Sequence, residues 1–307
     1  MLAKTKTILE KARKGRYAVG HFNINNMEIV QAIVNAAEKL KSPVILSTSE
    51  GAIKYAGLEY LYNISLIAAK LAKKSKVPVA LHLDHGRDMK VIRDCIKIGY
   101  SSVMIDASHK DFETNVKLTK KVVQLAHKKG ISVEAELGTI GGVEDNVSAK
   151  QIIYTDPENA KEFVRRTGCD FLAVAIGTSH GAYKFSGNAK LQHNILAKIK
   201  RKVKIPLVLH GASGVPKKYV NLAEKYGAKF GNMKGVPNQQ LSKAIKGGIC
   251  KVNTDTDIRI AFDAGIRTVI KQKPKEFDPR HILGSARDLM QKVVEERIML
   301  LGSANKA

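Results

Sequence analysis

The sequence predicts an α/β protein, a single (β/α)8 TIM barrel over residues 1–307 with an extra C-terminal helix. Three observations predict it. Short apolar runs recur along the chain with amphipathic, helix-length stretches between most of them, the pattern of parallel βα units. Eight such runs fall within about 250 residues, the usual size of this barrel. Nearly every run also ends in a polar or charged residue. In a barrel those ends all open on one face, where the βα loops build a site.

Taken in order, the runs are "RYAVGHFN" (16–23), "PVILSTS" (43–49), "VPVALHLDH" (77–85), "SVMIDAS" (102–108), "SVEAELG" (132–138), "FLAVAIG" (171–177), "IPLVLHG" (205–211) and "GICKVNTD" (248–255). Stretches such as "MEIVQAIVNAAEKL" and "FETNVKLTKKVVQLAHKKG" between them read as amphipathic helices. An open doubly wound sheet is the fallback, but no GxGxxG follows the first run, which counts against a dinucleotide fold. The segment "SARDLMQKVVEERIMLLGS" reads as the extra helix, with an apolar stripe. No low-complexity linker divides the chain.

Composition narrows the function classes. Hydrophobic residues make up 44%, as in a globular protein. No apolar run reaches the ~18 residues of a membrane span, so no membrane partner is expected. The N-terminal "MLAKTKTILEKARKGRY" lacks the apolar core of a secretory leader, and Cys95, Cys169 and Cys250 are scattered and odd in number. Both point to the cytoplasm. The net charge of +24 suggests nucleic acid at first sight. However, the lysines are spread over every helix-like segment, Trp is absent and no nucleic-acid motif occurs, so none is expected as a partner. A basic surface also steers anionic substrates.

The polar run ends are Asn23, Ser49, Asp84 with His85, Asp106, Glu136, His180 just past its run, His210, and Asn253 with Asp255. Of nine histidines, His21, His109, His127, His193 and His281 read as surface or satisfied core residues. His85, His180 and His210 stand at the ends of three different runs. Converging, they would suit Zn²⁺ with a fourth position left for substrate; the alternative is three unrelated histidines. His82, three residues before His85, faces the other way on a regular strand and reads as interior packing or an orienting residue. Asp84 adjoins His85, and Gly86 permits a turn that brings both to one cleft. Asp84 then serves as a general acid/base or as an orienter of a ligand.

Glu134 and Glu136 share one parity and need cations if they face the barrel interior. Lys251, on the eighth run with Asn253 and Asp255 at the same parity, neutralises Glu134; the rival is a Schiff-base lysine. The Gly- and Ser-bearing loops "GTSHGAYK" (177–184) and "HGASGVP" (210–216) offer backbone N–H groups to an oxyanion or phosphate, with Lys184 as an added charge. The long loop "TIGGVEDNVSAKQIIYTDPEN" begins with paired glycines, possible hinges for carrying Glu144 inward.

Together these residues resemble the class II, metal-dependent fructose-1,6-bisphosphate aldolases. The resemblance runs nearly end to end, through "YAVGHFN", "SEGA", "LHLDHG", "SVMIDASH", "VEAELGTIGGVEDN", "GTSHGAYK", "LVLHGASG", "KVNTDTDIRIAF", "FDPRHILG" and "GSANKA". The insertion "GNMKGVP" resembles the Helicobacter-like branch. The resemblance implies reversible cleavage of fructose 1,6-bisphosphate to dihydroxyacetone phosphate and glyceraldehyde 3-phosphate, through a zinc-stabilised enediolate. It implies catalytic Zn²⁺ on His85, His180 and His210, a second divalent position at Asp106 and Glu136, and a monovalent cation, Na⁺ or K⁺. Asp84 matches the residue exchanging a proton with the C4 hydroxyl, Glu144 the mobile-loop carboxylate and Asn253 the residue holding the enediolate. Gly181, Lys184, Gly211, Ser213, Asp255 and Thr256 match the 1-phosphate cradle. Asn23, Ser49, Arg259 and Arg280 match the far end of the substrate, with Arg280 donated by a neighbouring subunit of a homodimer or homotetramer. Val143 stands where some relatives carry a further acid before Glu144. A tagatose-1,6-bisphosphate aldolase is the nearest rival; that group tends to lack the pair present here as Asp255 and Arg259.

Overall fold

The computed structural model describes residues 1–144, 147–149, 152–181 and 190–307, with backbone alone for 142–144, 147–149 and His180. In chain order the strands are β1 (Val19–Asn23), β2 (Val44–Thr48), β3 (Val79–Gly86), β4 (Ser102–Ile105), β5 (Ser132–Leu137), β6 (Gly141–Glu144), β7 (Val147–Ala149), β8 (Phe171–Val174), β9 (Ser179–His180), β10 (Leu207–Leu209) and β11 (Ile249–Thr254). Eight of them close into a parallel barrel in the order β1-β11-β10-β8-β5-β4-β3-β2. Each predicted run holds one barrel strand. The helices are α1 (Thr5–Gly15), α2 (Met27–Lys39), α3 (Glu50–Ala56), α4 (Leu58–Ala72), α5 (Met89–Ile98), α6 (Phe112–His127), α7 (Pro157–Thr167), α8 (His193–Lys202), α9 (Lys217–Lys225), α10 (Asn238–Gly247), α11 (Thr256–Gln272) and α12 (Pro279–Leu301).

Local chemistry sets where the helices start and stop. Side chains of Asn26, Ser49, Asp111 and Asp156 accept backbone N–H bonds at the starts of α2, α3, α6 and α7. Gly99, Gly168 and Gly302 end α5, α7 and α12 in the left-handed region. The C-terminal helix starts at Pro279, six residues before the predicted stretch, because Asp278 caps it and Pro suits its first position.

The barrel interior is layered by the two-residue period of its strands. At the floor lie Val19, Ile45, Ala80, Phe171, Ala173 and Val208, sealed by Ile8, Leu9 and Ala12 of α1. One step up, His21, Ser47, His82, Ser102, Glu134 and Lys251 are all fully buried. The next step carries Asn23, Asp84, Asp106, Glu136, His210 and Asn253 to the mouth.

The segment after β5 departs from its prediction as a loop. Gly141 and Gly142, expected as hinges, lie in β6, which pairs antiparallel with β7 and parallel with β9. "GGVE" has no apolar alternation to betray a strand, so only its partners identify it. Among the described residues no helix is long and apolar enough to cross a membrane.

Candidate active site

The mouth is organised around β3. Asp84 and His85 are consecutive and would diverge on a regular strand. The turn that reconciles them falls on His85 itself, at φ 47°, and not on Gly86 as the sequence suggested. A left-handed histidine is uncommon. Gly86 supplies clearance instead: a Cβ there would lie 2.5 Å from the Met104 carbonyl oxygen. The register between β3 and β4 shifts between Leu83 and Gly86, and this irregularity aims both side chains at one cleft.

His85 Nδ1 lies 3.1 Å from Asp106 Oδ2, and His210 Nε2 lies 2.7 Å from Glu134 Oε1. An ionised carboxylate only accepts, so each ring donates through that nitrogen. The remaining nitrogens, His85 Nε2 and His210 Nδ1, face each other at 2.8 Å. One positive charge shared at this point, a proton or a metal ion, satisfies both nitrogens. Asp84, His85 and His210 place one ligand atom each within 4.8 Å of one another, and among the described residues buried Glu136 Oε2, 3.9 Å from His210 Nδ1, lacks a hydrogen-bond partner. This donor set fits a divalent metal ion such as Zn²⁺.

The surrounding charges are arranged to match. Burial alone would lower the His85 imidazole, but the charges of Asp84, Asp106 and Glu136 raise it to about 10. Burial keeps His210 below its ordinary value. Burial, reinforced by Asp106, pushes Glu136 up to about 8. Asp106 is held by Arg87, which donates through Nε (3.0 Å) and Nη2 (2.9 Å), and by the Ser108 hydroxyl (2.7 Å). Below His210, Lys251 Nζ donates to both oxygens of Glu134 at 2.8 and 3.1 Å, as predicted. Burial would raise Glu134, but Lys251 holds it well below the usual carboxylate range.

Asp84 is gripped from two strands. Asn23 Nδ2 donates to its Oδ2 (3.1 Å) and Asn253 Nδ2 to its Oδ1 (3.2 Å). Burial would raise Asp84, but His21 and His85 keep it well below the ordinary range, so it stands ionised. His21 Nε2 lies 3.2 Å from Asn23 Oδ1 and 3.6 Å from Asp84 Oδ2. Sequence reasoning set His21 aside and missed Arg87. His21 shares strand parity with Asn23, a signal that was available; nothing in "GRD" announces that Arg87 reaches Asp106.

The glycine-rich loops meet beside this centre. Gly211 has φ 59°, and a Cβ there would lie 2.5 Å from the Ser179 carbonyl oxygen. Gly181, at φ 79°, follows β9 directly. The Asp255 N–H donates to Ser213 Oγ (3.3 Å), and buried Thr256 starts α11. Arg259 pairs with Asp255 at 2.7 Å. Ser49, expected at the substrate, caps α3 through the Ala52 N–H. Arg280 is surface-exposed and pairs with Asp278 at 2.6 Å, at the start of α12. The backbone of His180 pairs with Gly142, and that of Glu144 ends β6. Their side chains, and all of Lys184, lie outside the described residues.

A parallel eight-stranded barrel with two histidines and three carboxylates converging at its C-terminal mouth defines a metal-assisted (β/α)8 enzyme scaffold. The chain belongs to the class II fructose-bisphosphate aldolase family, whose model matches residues 3–306. It is 50% identical to a fructose-bisphosphate aldolase of Thermus caldophilus and 47% identical to one of Helicobacter pylori strain 26695, each comparison covering 100% of both chains. Among solved structures, the YdjI aldolase from Escherichia coli K12 is 34% identical over 100% of both chains, with a TM-score of 0.78.

Proposed function

We propose that the chain reversibly cleaves fructose 1,6-bisphosphate to dihydroxyacetone phosphate and glyceraldehyde 3-phosphate, in glycolysis and gluconeogenesis. The observation that carries this reading is the convergence of Asp84, His85 and His210 at the barrel mouth, with one ligand atom from each within 4.8 Å of the others. His85, His180 and His210 would hold Zn²⁺, and Asp106 and Glu136 would form a second divalent position. When bound, the metal supplies Lewis-acid polarisation of the substrate ketone.

The chain's own groups do the rest. Ionised Asp84 accepts the C4 hydroxyl proton in cleavage and returns it in condensation. Asn253 holds the enediolate oxygen through its side-chain N–H. Glu144 moves the proton at C3. Gly181, Lys184, Gly211, Ser213, Asp255 and Thr256 bind the 1-phosphate, beside a Na⁺ or K⁺ ion. Asn23, Ser49 and Arg259 face the far end of the sugar. Arg280 reaches the 6-phosphate of a neighbouring subunit in a homodimer or homotetramer. Lys251 is committed to Glu134, so no Schiff base is invoked. Tagatose 1,6-bisphosphate is the competing substrate, and the Asp255–Arg259 pair favours fructose.

Separate acid/base groups make a separable prediction. Glu144→Gln keeps its zinc and binds dihydroxyacetone phosphate, yet exchanges the C3 hydrogen with deuterated water at least ~100-fold more slowly. Asp84→Asn loses cleavage and largely keeps exchange. Proton NMR of the ketose phosphate in D₂O reads both. Wild-type exchange in the Glu144 variant moves the base elsewhere.

A further inference from the structure

The loop from Gly211 to Pro216 is strained and is held from behind. Val215 stands at φ 50°, a left-handed conformation that a β-branched residue adopts only when its surroundings impose it. Asp257, fully buried in the first turn of α11, accepts the N–H groups of Gly214 (3.1 Å) and Val215 (2.8 Å). Arg297 reaches the same place from α12. Its Nε lies 3.4 Å from Asp257 Oδ2, and its Nη2 donates to the Ala212 carbonyl oxygen at 2.5 Å. Arg297 is 4% exposed, deep burial for a guanidinium, and it needs that carboxylate and carbonyl to offset its lost hydration. On the outer side, the Val236 N–H donates to the Ser213 carbonyl oxygen (3.0 Å). Gly235 sits so close that a Cβ would fall 2.3 Å from the Gly214 carbonyl carbon.

We infer that Arg297 is a positioning residue for the phosphate subsite, bracing the 211–215 backbone in its binding conformation through Asp257 and Ala212 and tying that subsite to the C-terminal helix. The inference rests on the reading of this loop as a phosphate cradle. Backbone N–H groups bind an anion tightly only when their geometry is set beforehand, because otherwise binding must order the loop. A strained loop relaxes when its brace is removed, so the cost falls on phosphate affinity. The metal centre is held by a different set of contacts and keeps its ligands.

The experiment compares Arg297→Met, Arg297→Lys and Ser213→Ala with the wild type. It measures KM and kcat for fructose 1,6-bisphosphate, the competitive inhibition constant of inorganic phosphate, and zinc per chain. Arg297→Met raises KM and the phosphate inhibition constant together by ~10-fold or more, with kcat within ~3-fold and zinc unchanged. Arg297→Lys keeps the charge on Asp257 but cannot fork to Ala212, and raises both constants by ~3-fold or more. Wild-type constants in folded Arg297→Met overturn the inference, as they do in Arg297→Lys should the Met variant not fold. A fall in zinc that tracks the rise in KM also overturns it, because the damage would then be general. Wild-type constants in Ser213→Ala remove the phosphate reading of the loop, and the inference with it.

Discussion

His21 shows how much a single buried side chain is asked to do. It lies beneath Asp84 and touches the asparagine that holds that carboxylate. Burial, and then the charge of Lys251, lower its imidazole to about 4. An unfolded histidine titrates near 6.5, so between those values the unfolded chain binds a proton that the folded chain refuses. The stabilisation is present above pH 6.5 and is lost as pH falls toward 4, by on the order of 3 kcal/mol over the interval. In His21→Gln that contribution disappears. Urea unfolding of the two proteins between pH 7 and pH 4.5 therefore finds their stability difference shrinking as pH falls. A constant difference would mean that His21 does not refuse the proton. At this scale the sequence was legible where residue type and position coincided, as for Asp84, His85, His210 and the Lys251–Glu134 pair. It was not legible where a contact crosses strands without a pattern, as when Arg87 grips Asp106.

At the scale of elements, periodicity and capping decided what could be read. Every barrel strand is an apolar run bounded by turn residues, and each was visible. Two features depend on partners distant in sequence and were not. The turn within β3 falls on His85 because Gly86 must pass close to the Met104 carbonyl, which only the β3–β4 pairing reveals. The short strand β6 exists because β7 and β9 pair with it. The first turns of α11 carry a consequence for substrate choice. Arg259 lies one turn beyond Asp255 and pairs with it at the mouth, partly exposed. Arg259→Ala should erode the preference for fructose over tagatose bisphosphate by ~10–100-fold, the range for losing a hydrogen bond to a charged group. The ratio of kcat/KM values for the two sugars measures it. An unchanged ratio assigns discrimination to another residue.

The whole molecule is a strongly basic barrel, with 52 Lys and Arg against 28 Asp and Glu, and a mouth that buries Asp84, Asp106 and Glu136. Those two facts belong together if the ligand is a bisphosphate held over a metal. The outer charge attracts an anion from a distance. The inner carboxylates are compensated locally, Glu134 by Lys251 and Asp106 by Arg87. The global fold was legible because eight units repeat one pattern. The chemistry of the mouth was legible only as far as the residues fall at strand ends. Cleavage should depend on this metal site, and a coupled cleavage assay on both bisphosphates, with and without chelator, measures that dependence. Fructose 1,6-bisphosphate should be cleaved in preference to the tagatose sugar, phenanthroline should abolish the activity, and added Zn²⁺ should restore it. Full cleavage by protein shown by elemental analysis to be free of metal would rule out metal-dependent chemistry at this site.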